Sequence, residues 1–328
     1  MPAIKVSDLT KRYNSFTAVD RISLEVPEGT IFGFLGPNGA GKTTTISMLC
    51  TLLKPTSGEA SVNGYDSIRE PSRVRESIGI VFQETTLDKD LTAFENLYYH
   101  SILYNVQRHR RKDLVRKALR FVGLYERKDE PVKKFSGGMK RRLEVARAVV
   151  HQPRILFLDE PTLGLDPQSR TSLWEFITRL PSEEGVTVFM TTHYMDEAEV
   201  CHNIAIIDNG RIIAKGSPDE LKKGIGGDLI YIKVTDEEEA VRLIRDRLSL
   251  NPVRKGEELS IPVTGGDACI PELIRTVGDL AISVRIQRPT LNDVFLNLTG
   301  KAIREEEQDS SDTIKDSIRE YRRRFDRR

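Results

Sequence analysis

The sequence predicts an α/β protein: a large domain on a parallel sheet over residues 1–222, a small α+β module over 223–300 and a charged tail over 301–328. Three observations predict it. Short, almost wholly apolar runs recur at 31–35, 77–83, 155–160 and 187–193, as strands buried on both faces of a parallel sheet do. Helix-periodic stretches at 42–53, 113–122 and 139–150 lie between them, which is the alternation of α/β architectures. The glycine-rich KKGIGGD at 222–228 breaks the pattern, and a different one restarts beyond it.

Bulk composition narrows the function classes. Lys plus Arg is 50 and Asp plus Glu is 49, so no global polyanion footprint exists and no nucleic-acid partner is expected. No apolar run approaches the roughly 20 residues of a bilayer-spanning helix, and MPAIKVSDLT has no apolar segment of signal-peptide length. Cys50, Cys201 and Cys269 are far apart and odd in number. They suit neither a disulfide framework nor a zinc knuckle, and they point to a reducing cytoplasm.

The first apolar run, IFGFL, leads into GPNGAGKT, Gly36 to Thr43. This fits G-x-x-x-x-G-K-[ST] between a strand and a helix. The glycines let backbone N–H groups curl around phosphates, Lys42 would reach the β- and γ-phosphates, and the Thr43 hydroxyl would bind Mg²⁺. Gly36, Pro37, Asn38, Gly39, Ala40, Gly41, Lys42, Thr43 and the following Thr44 form the candidate nucleotide-binding set. The run RILFLDE ends in Asp159 and Glu160, at the carboxyl end of a strand where parallel sheets bind ligands. Asp159 would hold Mg²⁺, and Glu160 would act on the attacking water. Gln83 and His193 also follow apolar strands, which puts them on the same rim.

The stretch FSGGMKRRLEVARAVV, 135–150, reads as an amphipathic helix with Ser136 as its N-cap. Gly137 and Gly138 at its head are a cost, and Lys140, Arg141 and Arg142 crowd a first turn where the helix dipole favours acids. Bare backbone and positive charge there suit an approaching phosphate.

Taken together these motifs resemble, over about residues 3–222, the nucleotide-binding subunit of an ATP-binding cassette (ABC) transporter, a P-loop NTPase with a helical subdomain, here about 89–150. FSGGM resembles the family's signature loop, LSGGQ, with Phe135 and Met139 departing. The resemblance implies ATP and Mg²⁺ as cofactors and an ATPase activity. It implies that Tyr13 stacks on adenine, that Gln83 senses Mg²⁺ and faces the membrane partner, that Asp166 crosses a dimer interface and that His193 contacts the γ-phosphate. Two cassettes would face each other head to tail, and Ser136, Gly137 and Gly138 of one would meet the ATP of the other. A second copy of this chain is the expected dimer partner.

The continuous GLDPQSR, the C-terminal module and RPTLNDVFLNLTG extend the likeness to about residue 304. There the chain is similar to ATPase subunits of daunorubicin-resistance-type drug exporters, which work with separate ABC-2-type permeases. That implies a peripheral protein on the cytoplasmic face of the membrane, with segment 89–130 against the permease. A non-transport ABC ATPase would need a coiled-coil insertion or two cassettes, and a dead regulatory cassette would lack Lys42, Gln83, Asp159, Glu160 or His193.

Beyond 222 the order of expected elements is βαββαβ, as in a ferredoxin-like module, with one more helix over 290–300 capped by Thr290. In the tail, Ile314, Ile318, Tyr321 and Phe325 share one helical face among arginines. That stripe is expected to be solvated, or to fold on docking.

Overall fold

The computed structural model describes residues 2–224, 227–263 and 265–299. The expected tail, with its Ile314–Phe325 stripe, lies outside them. Two compact units divide after Lys215, ahead of the expected boundary at 222.

The first unit opens with a hairpin, β1 (Pro2–Tyr13) and β2 (Phe16–Pro27), followed by β3 (Ile31–Leu35) and α1 (Lys42–Leu49). Next come β4 (Ser57–Val62), β5 (Tyr65–Asp66), α2 (Pro71–Ser77) and β6 (Ile78–Val81). Three helices follow: α3 (Ala93–Leu103), α4 (Arg108–Phe121) and α5 (Gly137–Val149). The unit ends with β7 (Ile155–Asp159), α6 (Pro167–Glu184), β8 (Thr187–Thr192), α7 (Met195–Ala198), β9 (Asn203–Asp208) and β10 (Arg211–Gly216).

The four predicted apolar strands all enter one six-stranded sheet of order β10-β9-β3-β8-β7-β6. β9, β3, β8, β7 and β6 run parallel. Every residue of β3, β7 and β8 is buried, the reason these strands read as continuous apolar runs. Phe189 lies at their centre, stacked on Phe32 at 5.4 Å between ring centroids and touching Phe34 and Phe157. A second sheet, β2-β1-β4-β5, is antiparallel and was not expected from the sequence. Its signal is nonetheless present. Ile22, Leu24 and Val26 alternate with exposed residues in β2, the period-2 pattern of a sheet with one buried face.

The helices α3, α4 and α5 share a separate core that includes Leu97, Val115, Leu119, Leu143 and Ala146. Thr92 and Glu95 form a reciprocal capping box at the head of α3, which satisfies two otherwise orphaned N–H groups. Helix α1 stops at Leu49 rather than running to residue 53; Thr51 turns left-handed just beyond it.

The second unit holds α8 (Pro218–Gly224), β11 (Asp228–Val234), α9 (Glu237–Leu248), β12 (Val253–Lys255), β13 (Glu258–Val263), α10 (Gly266–Val277), β14 (Ala281–Gln287) and α11 (Leu291–Thr299). Its sheet is antiparallel, of order β12-β13-β11-β14. Ile230, Ile232, Ile244, Ile261 and Leu273 form its core. α8 packs against α11, which places α8 in this unit. Thr290 accepts from the Asp293 N–H at 3.2 Å and caps α11.

Candidate active site

Parallel register gathers the site. Leu35 pairs with Thr192, Asp159 with Thr191, and Val81 with Leu158. The residues that follow, Gly36, His193, Glu160 and Gln83, therefore leave the sheet along one rim.

The phosphate-loop glycines are dictated by close backbone approaches. A Cβ on Gly36 would lie 2.2 Å from the Ile207 carbonyl oxygen. Gly41 has φ of 106°, and a Cβ there would lie 2.5 Å from the Ala18 carbonyl. Gly41 is also the N-cap of α1, and no side chain caps that helix. Its first N–H groups are left for a ligand.

Lys42 is 5% exposed and donates to the carbonyls of Gly36 at 2.8 Å and Pro37 at 3.1 Å. Its Nζ is also 3.2 Å from Glu160 Oε1. Burial pulls the Lys42 ammonium below its ordinary pKa, against the opposing pull of Glu160 and Asp159. The Thr43 hydroxyl lies 3.4 Å from Asp159 Oδ1, which also accepts from the Thr191 hydroxyl. Burial raises the Asp159 carboxyl pKa, and these two hydroxyls oppose the shift.

Glu160 is a non-glycine residue at φ 45°, a left-handed conformation that costs on the order of 1 kcal/mol or more. Its N–H donates to both the carbonyl (3.2 Å) and the hydroxyl (3.1 Å) of Thr191. Its carboxylate faces Lys42 on one side and His193 Nδ1, at 3.3 Å, on the other. The histidine contact is close without being an aligned hydrogen bond, for Nδ1 is buried and makes none. Burial alone would raise the Glu160 pKa, but His193 and Lys42 together hold it below the ordinary carboxylate value.

The structure thus brings Lys42, Thr43, Asp159, Glu160 and His193 together. Tyr13, Asn38, Gly39, Gln83, Ser136, Gly137 and Asp166 stand exposed, Pro37 and Thr44 are half-buried, and Ala40 and Gly138 are buried. Tyr13 ends β1 in a hairpin whose Ala18 and Val19 pack on Gly41. Asp166 caps α6 by accepting from the Ser169 N–H at 2.9 Å.

At the head of α5 the sequence expectation is corrected. Ser136 caps the helix, accepting from the Met139 N–H at 3.3 Å. Gly137 is open, its nearest neighbour for an added Cβ being Leu165 at 3.9 Å. Gly138 is not: a Cβ there would meet Ser169 Oγ at 2.3 Å, so this glycine serves helix packing. The three cations do not form an exposed basic turn. Arg141 is buried and bonded inward, Arg142 donates to the Val122 carbonyl at 3.3 Å, and Lys140 is half-buried.

Sequence reasoning missed Thr191, the Arg141–Glu144 pair and a buried carboxylate, Glu197. Glu197 accepts from the hydroxyls of Thr162 and Thr192. TT before His193 was a visible signal, because two hydroxyls ending an apolar strand need partners. Glu197 had no such signal.

A glycine loop opening α1, with an acidic pair ending a nearby parallel strand and a histidine on the carboxylate, defines an ATP-binding and ATP-hydrolysing P-loop protein. The chain belongs to the ABC transporter family, whose model matches residues 19–163, and is an ATP-binding subunit of that kind. It is 40% identical over 307 residues to the daunorubicin/doxorubicin resistance ATP-binding protein DrrA of Streptomyces peucetius, covering 91% of this chain and 92% of that protein. It is 39% identical over 311 residues to the linearmycin resistance ATP-binding protein LnrL of Bacillus subtilis, covering 92% of this chain and 100% of that one. Among solved structures it is similar to cbiO1 from Clostridium perfringens, part of the ABC transporter complex cbiONQ. There the TM-score is 0.64 at 29% identity, covering 76% of this chain and 96% of that one. It is also similar to the dimeric cassette MJ0796 in a post-hydrolysis state with ADP and Pi. The TM-score is 0.60 at 27% identity, covering 65% of this chain and 98% of that one. Among the described residues no helix is long and apolar enough to cross a membrane.

Proposed function

We propose that the chain energises export of a drug, lipid or similar amphiphile through a separate ABC-2-type permease, docked on the cytoplasmic face of the membrane. The resistance proteins named above support the export reading. So does the Nod factor export ATP-binding protein I of Cupriavidus metallidurans, 38% identical over 92% of this chain and 99% of that protein. The working unit is a dimer of two copies. Residues up to Lys215 form the cassette, and the unit that follows, from Gly216, an accessory domain. The segment 89–130 meets the permease, consistent with Tyr99 and Leu103 being 50% and 77% exposed.

The observation that carries the catalytic reading is the Glu160 carboxylate, set 3.2 Å from Lys42 and 3.3 Å from His193. Held ionised by both, Glu160 takes the proton of the attacking water. Lys42 exchanges its loop carbonyls for the β- and γ-phosphates, and the free N–H groups of the loop between Gly36 and Thr44 cradle them, Pro37 having none and Gly36 and Ala40 already donating to the Thr192 and Pro37 carbonyls. His193 contacts the γ-phosphate and orients Glu160. Tyr13 stacks on adenine, and Gln83 links the site to the permease. Ser136 and Gly137, with Gly138 packed behind them on Ser169 and Asp166 at the dimer interface, complete the site of the second copy.

Mg²⁺ fits the oxygen donors present. Among the described residues no group of three or more His, Cys, Asp or Glu could hold a metal ion alone. Thr43 and Asp159 supply two hard oxygens, Gln83 stands near the rim, and phosphate and water would complete the shell. When bound, the ion neutralises charge on the phosphate oxygens.

Glu160→Gln tests the reading. ATP binding should persist while kcat falls about 10²- to 10⁴-fold, with an ATP-bound dimer accumulating. Turnover at the wild-type rate would remove Glu160 from the reaction.

A further inference from the structure

Arg141 was expected to face a phosphate, yet it is buried and spends its five N–H donors inside the protein. Its Nε donates to the Pro161 carbonyl at 2.6 Å. Nη2 donates to the carbonyls of Asp159 at 3.2 Å and Glu160 at 3.1 Å. Nη1 donates to the Phe82 carbonyl and to Glu144 Oε2, the latter at 3.0 Å. Glu144, one turn further along α5, accepts the Thr86 N–H on its other oxygen at 2.9 Å. One guanidinium therefore gathers three successive carbonyls at the end of β7 and just beyond it, and with Glu144 it ties the segment 82–86 to the same helix.

We propose that Arg141, held by Glu144, is a positioning residue for hydrolysis: it fixes the left-handed turn at Glu160 to the head of α5 and to the chain around Gln83. The turn at Glu160 has two handles. Thr191 holds its N–H side, and Arg141 holds its carbonyl side. A residue at positive φ keeps that conformation only where its surroundings over-determine it. Without the second handle the Glu160 carboxylate is free to swing from Lys42 and His193. The planar fork explains the residue type, since a lysine can satisfy only part of this set of acceptors. The same fork explains why an arginine stands near the start of a helix, against the dipole. Glu144 supplies the compensating charge inside the protein. The inference rests on the reading of Glu160 as the group that acts on water.

The test is a cycle of Arg141→Lys and Glu160→Gln in the full-length protein, read by ATPase kinetics, single-turnover hydrolysis and nucleotide affinity. Arg141→Lys should lower kcat roughly tenfold to a hundredfold and leave nucleotide Kd within about twofold, because no phosphate contact is lost. In the Glu160→Gln background the same change should add almost nothing, since the group it positions is already gone. A wild-type kcat in folded Arg141→Lys overturns the proposal, and so does a loss that multiplies fully with that of Glu160→Gln. Should Arg141→Lys fail to fold, Arg141→Gln combined with Glu144→Gln removes both buried charges at once, and the same two criteria apply to it. If Glu160→Gln itself hydrolyses normally, the catalytic reading of Glu160 fails first, independently of Arg141.

Discussion

The two glycine-bearing helix starts of the cassette, at α1 and at α5, look alike as sequence and are built in opposite ways. At α1 no side chain caps the helix, and Gly36 and Gly41 are forced by the backbone carbonyls of Ile207 and Ala18. The positive charge beside it, Lys42, meets an acid within the same rim. At α5 a side chain already caps the helix, one glycine is open, the other packs on α6, and the central cation is turned inward. The first start is shaped so that its own amides can meet an anion. The second is chiefly anchored, and only Ser136 and Gly137 remain exposed for anything outside the chain. That division suits a site made from two copies, in which one copy supplies the cradle and the other a rigid cover.

The comparison breaks most readily at Gly36. Gly36→Ala should cost about 3 kcal/mol or more, because the Cβ meets backbone that has nowhere to go; urea denaturation of the variant would read it. A midpoint close to wild type would mean that the loop shifts freely, and that the tight approach to Ile207 is not structural.

Gly138→Ala comes next, at about 1–3 kcal/mol. The obstacle is the Ser169 side chain, so Gly138→Ala with Ser169→Gly should recover part of the loss. Additive losses in that pair would refute packing as the role of Gly138.

Gly137→Ala sharpens the contrast. Stability should hold or rise, by up to about 1 kcal/mol from helix propensity, because space is open there. ATPase activity should fall if a phosphate of the second copy approaches this backbone. Full activity would remove Gly137 from the composite site.

The smallest effect is the pH dependence of each start. Ser136→Ala should cost about 1 kcal/mol at every pH, since a hydroxyl cap does not titrate. Glu160 behaves otherwise. Its pKa in the folded protein lies below the ordinary 4.5, so its contribution is fully present above 4.5 and is lost as pH falls through the lowered value. The stability gap between wild type and Glu160→Gln should therefore shrink as pH falls below about 4.5. A gap that held or widened below about 4.5, where the lowered Glu160 carboxylate begins to take up a proton, would contradict the pairing with Lys42 and His193.

Much of this was legible before the fold was known. Continuous apolar runs named four of the five parallel strands because both faces of the sheet are covered, while β9 (Asn203–Asp208) went unnamed. The rule that ligands sit at strand ends then put Lys42, Asp159, Glu160 and His193 together, for in parallel strands successive carboxyl ends share one edge. The antiparallel sheet escaped notice although Ile22, Leu24 and Val26 alternate plainly.

The sequence by itself determined the chemistry: a phosphate loop, an acidic pair and a histidine, at spacings that only a strand–loop–helix succession can bring to one rim. What the tertiary structure alone decided is where each charge points and what each glycine is for. Arg141 reads as a free cation until the carbonyls of Phe82, Asp159, Glu160 and Pro161 are seen around it, and Gly138 reads as bare backbone until Ser169 is found against it. The physical reason is separation along the chain. The acceptors of a buried guanidinium and the neighbour of a packed glycine come from other elements, and no local pattern in α5 encodes them.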